Sequence, residues 1–309
     1  YSVFRNLFMC NSRVLTSVEK EGLYLDRDFN QKLLEEYKPK IEAARQAIYD
    51  LPRVKKFTKK YNQGKIERYI ESIYQELEEL DYNDPKDKRK IDSRQQKISN
   101  IRAGIFTTKK EQELIRPLNL GSPVDLPQLM YSDSGFKFPV IKNNESGKPS
   151  TDEDTLVELR LTIKDPESPK AIFLDKLLEL RGLQKMYTTY IEGWHEKVQD
   201  DSRLHGRYNI HGTDSNRFSS ADPNMQQIPK TSVDPNIKKQ LVAPPGYLYM
   251  AFDYSQAELR MMAHLSGDET YLEAFAKGVD PHLGIAAAKY GVSIEEASKA
   301  YEDETHPDY

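Results

Sequence analysis

The sequence predicts an α+β protein in which long helices come first and an antiparallel sheet lies near the end of the chain. Three observations predict this order. Apolar residues recur at helical spacing through several stretches between residues 31 and 198. After Asp201 the chain changes to short stretches separated by turn residues. YLYMAFD (247–253) alternates apolar residues between its two faces, as a half-buried strand does.

Composition limits the class of protein. The chain has 309 residues, of which 38% are hydrophobic and 30% charged, and no run of 18 apolar residues predicts a membrane span. The first residues show no signal-peptide pattern, so we expect a cytoplasmic protein, cut from something longer. Cys10 is the only cysteine, which excludes an internal disulfide and a cysteine metal cluster.

The helical stretches follow one another with clear turns. QKLLEEYKPKIEAARQAIYD (31–50) has helical spacing interrupted only at Pro39. Helices at about 65–80 and 88–104 are joined by DYNDPKD, which predicts long antiparallel helices in a charged subdomain. A loop-rich region follows, and then a further helix at about 170–198, whose Trp194 is expected to pack in the core.

Positive charge is concentrated within the helical part. The net charge of −4 argues against a wholly basic protein, yet RVKKFTKK (53–60) carries five basic residues and KDKRK (86–90) carries four. Such runs are either solvated helix faces or surfaces that follow a nucleic-acid backbone, because clustered cations release its counterions. Both interpretations stay open from the composition.

A strand, a turn and a helix are predicted at residues 247–268. Asp253 would lie at the tip of the strand, and Leu259, Met262 and Leu265 follow helical spacing after it. Ser255 is placed to cap the first turn of that helix. A carboxylate at a strand tip beside a helix start suits a divalent cation, or it serves only to cap the helix.

Two long motifs carry a resemblance to a known family. DYSQAELRMMAHLSGD (253–268) and TDSNRFSSADPNMQQIP (213–229) resemble motifs of the family A DNA polymerases, the bacterial polymerase I type, which also occurs in phages. Shorter matches keep the family's order along the chain; these are SVEKEGLYLD, LNLGSP, GKPSTDEDTL, LRGLQKMYTTYIEGW and GVDPHLGIAAAKYGV. The resemblance covers nearly all of the chain except about residues 50–115.

The resemblance implies the right-hand polymerase fold, with a mainly helical thumb, an antiparallel palm sheet and truncated fingers. It divides the chain into a lead-in packed on the palm, the thumb, the palm with the first catalytic motif, and an incomplete start of the fingers; these are residues 1–30, 31–165, 166–267 and 268–309. Residues 50–115 form a basic helical insert in the thumb. The insert would lengthen the DNA grip, dock a processivity factor, or merely elaborate the thumb.

The family's chemistry explains the carboxylate. A primer 3′ hydroxyl attacks the α-phosphorus of a dNTP, and two Mg²⁺ ions held by hard oxygens assist the attacking and leaving oxygens. By resemblance, Asp253 is the catalytic metal ligand and the backbone carbonyl of Tyr254 is a second one. The residues placed by resemblance around the dNTP are Ser255, Gln256, Glu258 and His282. Glu258 would crowd the 2′ position of the sugar and so exclude ribonucleotides, whereas Arg260 is expected to make a structural ion pair.

Primer–template DNA is the partner that the resemblance implies. Four side chains would reach minor-groove acceptors at the primer end, and these are Arg217, Asn224, Gln226 and Gln227. Four others match positions that hold backbone phosphates, and these are Lys185, Thr188, Ser150 and Thr151. Asn216 stands where the family has glycine, which puts the turn before Arg217 in doubt.

Two family elements do not appear in the sequence. One is the fingers helix that holds the triphosphate, and the other is the HDE segment with the second metal-binding aspartate. We therefore expect this chain alone to be inactive, and expect a complementary C-terminal fragment, or a longer parent chain, to supply the rest. Two alternatives stay open: a relative of the single-subunit RNA polymerases, against which Glu258 argues, and a non-catalytic DNA-binding remnant or clamp.

Overall fold

The computed structural model describes residues 9–214 and 217–302. The chain forms two compact units, divided between Pro245 and Gly246. The helices of the first unit are α1 (Met9–Glu21), α2 (Arg27–Tyr49), α3 (Pro52–Glu78), α4 (Pro85–Arg102), α5 (Lys109–Gln112), α6 (Asp125–Tyr131), α7 (Glu153–Leu161), α8 (Pro169–Lys185), a π-helix (Met186–Ile191), α9 (Glu192–Lys197) and α10 (Pro235–Lys239).

The main core lies where α2 packs against α8 and the π-helix. Asp26 begins α2 by accepting a hydrogen bond from the Phe29 N–H at 2.9 Å. The predicted helix at 31–50 is confirmed, and it continues through Pro39. Its buried apolar residues recur along one face, as helical periodicity requires, and these are Leu33, Leu34, Tyr37, Ile41 and Ile48. Trp194 is 1% exposed in the same core, as predicted.

Helices α3 and α4 form a hairpin with a small hydrophobic cluster of its own. Its buried residues are Ile73, Leu77, Ile91, Ile98 and Ile101. Asp84 caps α4 and ends the DYNDPKD turn, as the sequence predicts. Although α3 is long, no helix in the described part of the chain is both long and apolar enough to cross a membrane.

The strands are short and pair antiparallel in two two-stranded sheets. β1 (Leu23–Tyr24) pairs with β2 (Arg203–Leu204), and β3 (Arg207–Asn209) pairs with β4 (Ser219–Ala221). An isolated bridge joins Leu25 to Leu241. The α+β class is thus confirmed in its coarse form, since the fold is mostly helical with small antiparallel sheets.

The strand predicted at residues 247–253 is wrong. The structure has irregular backbone there, and every side chain in the stretch is exposed, with Leu248 at 90% and Phe252 at 86%. An alternating apolar pattern becomes a strand only when a neighbouring strand pairs with its backbone and its apolar face is covered. Within the described residues nothing does so.

The second unit contains four helices: α11 (Ala257–Ser266), α12 (Glu269–Ala276), α13 (Pro281–Tyr290) and α14 (Ile294–Glu302). Gly267 and Gly291 end α11 and α13 with left-handed backbone, at φ values of 68° for both, which glycine adopts without steric cost. Ala263 and Ala287 are buried, whereas large apolar side chains such as Leu265 stay exposed. The unit therefore buries little apolar surface of its own.

Candidate functional site

Asp253 lies in the exposed coil that leads into α11, and not at a strand tip as predicted. Tyr254 beside it is 87% exposed. The carboxylate of Asp253 and the backbone carbonyl of Tyr254 are hard oxygen donors of the type that Mg²⁺ prefers. In the described parts of the chain, however, no group of three or more His, Cys, Asp or Glu side chains is arranged to hold a metal ion. By themselves these two residues do not form a complete set of metal ligands.

The turn before α11 differs from the prediction. Ser255 does not cap the helix; its carbonyl oxygen instead accepts a hydrogen bond from Arg260 Nε at 2.9 Å. Gln256 occupies the cap position with left-handed backbone (φ 52°), and its side chain makes no capping hydrogen bond. A left-handed residue there turns the chain sharply, which moves the Ser255 side chain out of capping geometry.

Arg260 also differs from its predicted role. Its guanidinium lies 4.5 Å from the centroid of the Phe275 ring. Among the described residues it contacts this ring and the Ser255 carbonyl rather than a carboxylate. Cation–π contacts of this kind hold an arginine in place, so Arg260 joins α12 to the start of α11. Glu258 lies in the first turn of α11, where the helix dipole favours a negative charge.

Asp280 brings two of the predicted nucleotide-binding residues together. It caps α13 by accepting from the His282 N–H at 2.9 Å, and His282 Nδ1 lies 2.8 Å from the same oxygen. Partial burial alone would raise the pKa of Asp280, but hydrogen bonds from His282 and from the side chain of Gln256 lower it. The sequence analysis missed Asp280, although an aspartate directly before Pro281 is a recognisable helix start.

In the first unit, the loop at residues 222–228 is anchored to the core. Met225 is buried, and its N–H donates to Ser220 Oγ at 3.1 Å. The hydroxyl of Tyr190, in the π-helix, donates to the carbonyl oxygen of Gln227 at 2.7 Å. Asn224 Oδ1 accepts from the Gln226 N–H at 3.0 Å, which closes a local turn. The backbone of this loop is therefore fixed from both sides.

Three of the four predicted primer-end side chains lie on this fixed loop. Gln226 and Gln227 are exposed, and Asn224 is half-buried. Arg217 is exposed in the segment before β4, and its carbonyl accepts from Thr213 Oγ1 at 2.8 Å. Asn216 lies outside the described residues. Exposed amides on a rigid loop are well suited to donate hydrogen bonds to an external partner.

Lys185 and Thr188 lie on the exposed side of the helix that crosses the core. Lys185 ends α8, and its Nζ is 3.9 Å from Glu153 Oε2, an ion pair between two exposed side chains. Thr188 lies in the π-helix, where its hydroxyl donates to the carbonyl of Gln184 at 2.8 Å. Exposed ion pairs of this length add little to protein stability. Lys185 can therefore leave Glu153 and bind another anion.

Ser150 and Thr151 lie close to these residues at the start of α7. Ser150 is 4% exposed, and its hydroxyl accepts from the Asp152 N–H at 3.1 Å. The hydroxyl that was predicted to contact a phosphate is therefore buried and already hydrogen-bonded within the turn. The carbonyl of Thr151 accepts from Arg181, one helical turn before Lys185. Arg181 is a residue that the sequence analysis missed, and burial lowers its pKa although Glu153 and Asp152 favour its charge.

The predicted phosphate contacts and the predicted primer-end loop thus lie on neighbouring elements. Tyr190 joins them, because it lies in the same π-helix as Thr188 and holds the carbonyl of Gln227. Arg181 joins α8 to the turn at Thr151. The exposed polar side chains on α7, α8, the π-helix and the loop at 222–228 thus belong to elements that hydrogen bonds join, and we call them together the polar surface.

The chain is similar to known proteins in sequence and in structure. The family model described as DNA polymerase family A matches residues 88–304. DNA polymerase I of Pseudomonas aeruginosa is 39% identical over 182 residues, which cover 58% of this chain and 19% of that protein. The thermostable DNA polymerase I of Thermus aquaticus is 37% identical over 203 residues, which cover 65% of this chain and 23% of that protein.

A solved structure resembles almost the whole chain. It is the POL domain of Pol1 from M. smegmatis in complex with DNA primer-template and dNTP, with a TM-score of 0.64 and 26% sequence identity. The match covers 96% of this chain and 40% of that one. The chain spans about a fifth of the length of the curated relatives that it matches.

Proposed function

The chain belongs to DNA polymerase family A, and from that premise we propose that it acts in template-directed DNA synthesis. In this proposal the first unit holds primer–template DNA. The second unit supplies Asp253 and part of the dNTP pocket. A further polymerase segment supplies the remaining metal ligands and the triphosphate contacts, so the chain alone does not extend a primer.

The polar surface of the first unit is the observation that carries the proposal. Lys185 and Thr188 are exposed, and Tyr190 of the same π-helix as Thr188 holds the loop on which Gln226 and Gln227 are exposed. Purine N3 and pyrimidine O2 occupy nearly the same minor-groove position in every correct base pair, so fixed donors there test the shape of a pair without reading its sequence. Phosphate contacts from the neighbouring helix would set the register of the duplex.

Asp253 is the proposed catalytic carboxylate. We take the cofactor to be Mg²⁺, since carboxylate and carbonyl oxygens favour it, with two ions in the complete active site. Asp253 and Tyr254 supply too few donors to hold such ions, so the remaining carboxylate comes from the further segment. Asp253 itself is exposed in an irregular coil, and pairing with that segment would fix its direction.

The residues of the proposed dNTP pocket are likewise divided between this chain and the further segment. Glu258, at the start of α11, would exclude a ribose by occupying the space of its 2′ hydroxyl. Gln256 and His282 are already held near each other through Asp280. Because Nδ1–H of His282 donates to that carboxylate, the ring in its protonated form would donate to a phosphate through Nε2. Ser255, whose carbonyl is bonded to Arg260, lines the same side of the turn.

The exposed coil at residues 247–254 is the proposed contact for the further segment. Its large side chains are more than half exposed, and Met261 and Leu265 on α11 are exposed as well. A strand donated by the further segment would pair with this coil and cover its apolar face. In the paired strand, the apolar residues that alternate along YLYMAFD would all lie on the covered face.

The α3–α4 hairpin is the proposed extension of the DNA grip or the docking point of a processivity factor. The end of the hairpin away from the main core holds a hydrophobic cluster of its own, whereas Val54 and Phe57, within the first basic run, are buried in the main core. The hairpin's basic runs lie at the start of each helix. Clustered lysines and arginines favour the DNA backbone as the first partner to test.

Primer extension with Mg²⁺ tests this proposal. We expect no extension by the chain alone, extension when a polypeptide with the remaining polymerase region is added, and loss of that extension with Asp253→Ala. Asp268→Ala is the matched control, because Asp268 is an exposed carboxylate in the same unit that caps α12, and it should retain extension.

Two outcomes would refute parts of the proposal. Extension by the chain alone would show that its metal ligands are sufficient. Duplex binding that never leads to extension with the added polypeptide would favour a non-catalytic DNA-binding role.

A further inference from the structure

Two fully buried amides, Asn30 and Gln240, connect segments that are far apart in the sequence. Both residues are 0% exposed. Asn30 Nδ2 donates to Gln240 Oε1 at 2.7 Å and to the carbonyl oxygen of Ile191 at 2.9 Å. Gln240 Nε2 donates to the carbonyl oxygens of Ile237 at 3.3 Å and Tyr190 at 3.5 Å.

This pair of amides uses its hydrogen-bonding capacity with little left over. Each NH₂ group makes two hydrogen bonds and each amide oxygen takes part in one, since His195 Nδ1 lies 2.9 Å from Asn30 Oδ1. An amide can make about four such bonds in all. Removal of either amide leaves the other buried without one of its hydrogen-bond partners, and such an unpaired buried polar group destabilises the fold. The two side chains therefore act as one unit.

Two of the carbonyls that this pair of amides binds lie at the end of the π-helix. Tyr190 and Ile191 are its last residues before α9 begins. A π-turn holds one residue more than an α-turn, and such turns are rare and frequently occur at functional sites. Gly193 fits the same geometry, because a Cβ added there would lie 2.8 Å from the carbonyl oxygen of Thr188.

The π-helix lies between the two parts of the polar surface. Lys185 and Thr188 are at its beginning, and Tyr190, near its end, bonds the loop at Gln227. If the segment became a regular α-helix, the residues after the π-turn would rotate by about 100° relative to those before it. The phosphate contacts and the primer-end loop would then lose their relative placement.

We propose that Asn30 and Gln240 are positioning residues for DNA binding: they hold the π-helix in the form that aligns Lys185 and Thr188 with the loop at residues 222–228. The inference rests on the proposed function, since it assigns these residues to the DNA-binding surface described there. Neither side chain contacts DNA, because both are buried. They act through the carbonyls of Tyr190 and Ile191.

The test compares Asn30→Ala, Gln240→Ala and the double variant with the wild-type chain. Affinity for a fluorescein-labelled primer–template duplex is measured by anisotropy at a temperature where all variants are folded. We expect each single variant to bind about tenfold more weakly, because a displaced π-helix misaligns two sets of contacts. The double variant should bind within about twofold of the weaker single variant, since the two amides form one unit.

Ile48→Ala is the matched control, because Ile48 is 0% exposed on the same helix α2 and in the same core. It should lower the unfolding temperature while leaving duplex affinity within about twofold. Amide hydrogen exchange at residues 190–197 should be faster in the two amide variants than in a control of similar stability.

The inference is overturned if both amide variants bind duplex like the wild type, or if Ile48→Ala loses as much affinity as they do. Additive losses in the double variant would also contradict it. If the wild-type chain binds no duplex, the proposed function fails instead. Exchange at residues 190–197 then still decides whether the amides hold the π-helix.

Discussion

The two motifs that carry the family resemblance have very different structures. The loop at residues 222–228 is held by the buried side chain of Met225 and by the bond from Tyr190. The coil at 247–254 has no such support, since Leu248 is 90% exposed and Tyr254 is 87% exposed. The first stretch lies within one motif and the second leads into the other, yet only the first is packed against elements of its own unit.

The difference shows what a motif requires beyond its residue types. A loop motif needs a few fixed anchors, and the first unit supplies them from β4 and the π-helix. A strand motif needs a neighbouring strand along its whole length. We therefore interpret the first unit as a preformed DNA-binding surface and the stretch around Asp253 as one that becomes ordered on pairing.

Removal of a core side chain from the supported region should have the largest effect. Trp194 is 1% exposed and meets the Tyr190 ring edge-on at 5.7 Å. We expect Trp194→Ala to lower the free energy of unfolding by about 3–5 kcal/mol, because it leaves a large cavity beside the π-helix. Denaturant titration followed by circular dichroism measures this change.

Phe252→Ala is the control for this prediction, because Phe252 is an aromatic residue that is 86% exposed. It should change the free energy of unfolding by less than about 0.5 kcal/mol. An equal loss in both variants would mean that the coil at 247–254 is packed after all, and the contrast between the regions would fail.

Two glycines on either side of the π-helix, Gly182 in α8 and Gly193 in α9, should respond oppositely to substitution by alanine. In Gly193→Ala the new Cβ would lie 2.8 Å from the Thr188 carbonyl oxygen, and the strain should cost roughly 1–3 kcal/mol. Gly182 in α8 has no atom within 4 Å of an added Cβ, so Gly182→Ala should stabilise the helix by roughly 0.5–1 kcal/mol. Thermal unfolding of the two variants tests whether the backbone at the π-turn, unlike that of α8, leaves no room for a Cβ.

Sequence reasoning predicted the parts of the fold whose signals are local. The turn at DYNDPKD and the helix around Pro39 are confirmed because apolar spacing and capping residues specify them directly. The α3–α4 hairpin is confirmed as well, but α3 begins at Pro52 and not near residue 65, and its N-cap residue Leu51 makes no side-chain capping bond. Sequence reasoning failed at residues 247–253, because an alternating pattern does not reveal whether a partner strand is present. The Ser255 cap failed because the left-handed backbone of Gln256 is not visible in the residue types.

The residues that the sequence analysis missed are polar groups whose partners are distant. Asn30 bonds residues 161 and 210 positions away, so no local pattern points to them. A weak signal was present, since Asn30 lies on the apolar stripe of α2, in line with Leu33, Leu34 and Tyr37. A polar residue on such a stripe requires a buried partner.

Acid should weaken the hairpin end of the first unit through Glu111. Burial alone would raise the pKa of this carboxyl, but hydrogen bonds from Thr107 and Thr108, with Lys97 nearby, lower it from 4.5 to about 2. A lowered folded pKa stabilises the protein above the unfolded value of 4.5, and the contribution is lost as pH falls toward 2. At pH 3 the loss should be about 2 kcal/mol.

Denaturant titrations at pH 6 and pH 3 check this effect. Glu111→Gln should be less stable than the wild type at pH 6 and should show a smaller further loss at pH 3. The result would go against the assignment if the two proteins lost the same free energy between these pH values. A wild-type chain as stable at pH 3 as at pH 6 would contradict it as well.

A single phosphate contact should have the smallest effect. If Lys185 binds one backbone phosphate, Lys185→Ala should reduce the slope of log affinity against log salt by about 0.9. Lys176→Ala on the same helix is the control and should leave the slope unchanged. Anisotropy titrations over a range of salt concentrations measure both, and equal slopes in all three proteins would place DNA elsewhere on the surface.

Hydrogen exchange of the whole chain with and without a primer–template duplex tests the central claim most directly. If the polar surface of the first unit binds DNA as proposed, exchange at residues 185–191 and 222–228 should become slower on duplex addition. Exchange at 247–254 should stay fast until a polypeptide with the remaining polymerase region is added. Protection of 247–254 by the duplex alone, with none at 222–228, would contradict this account.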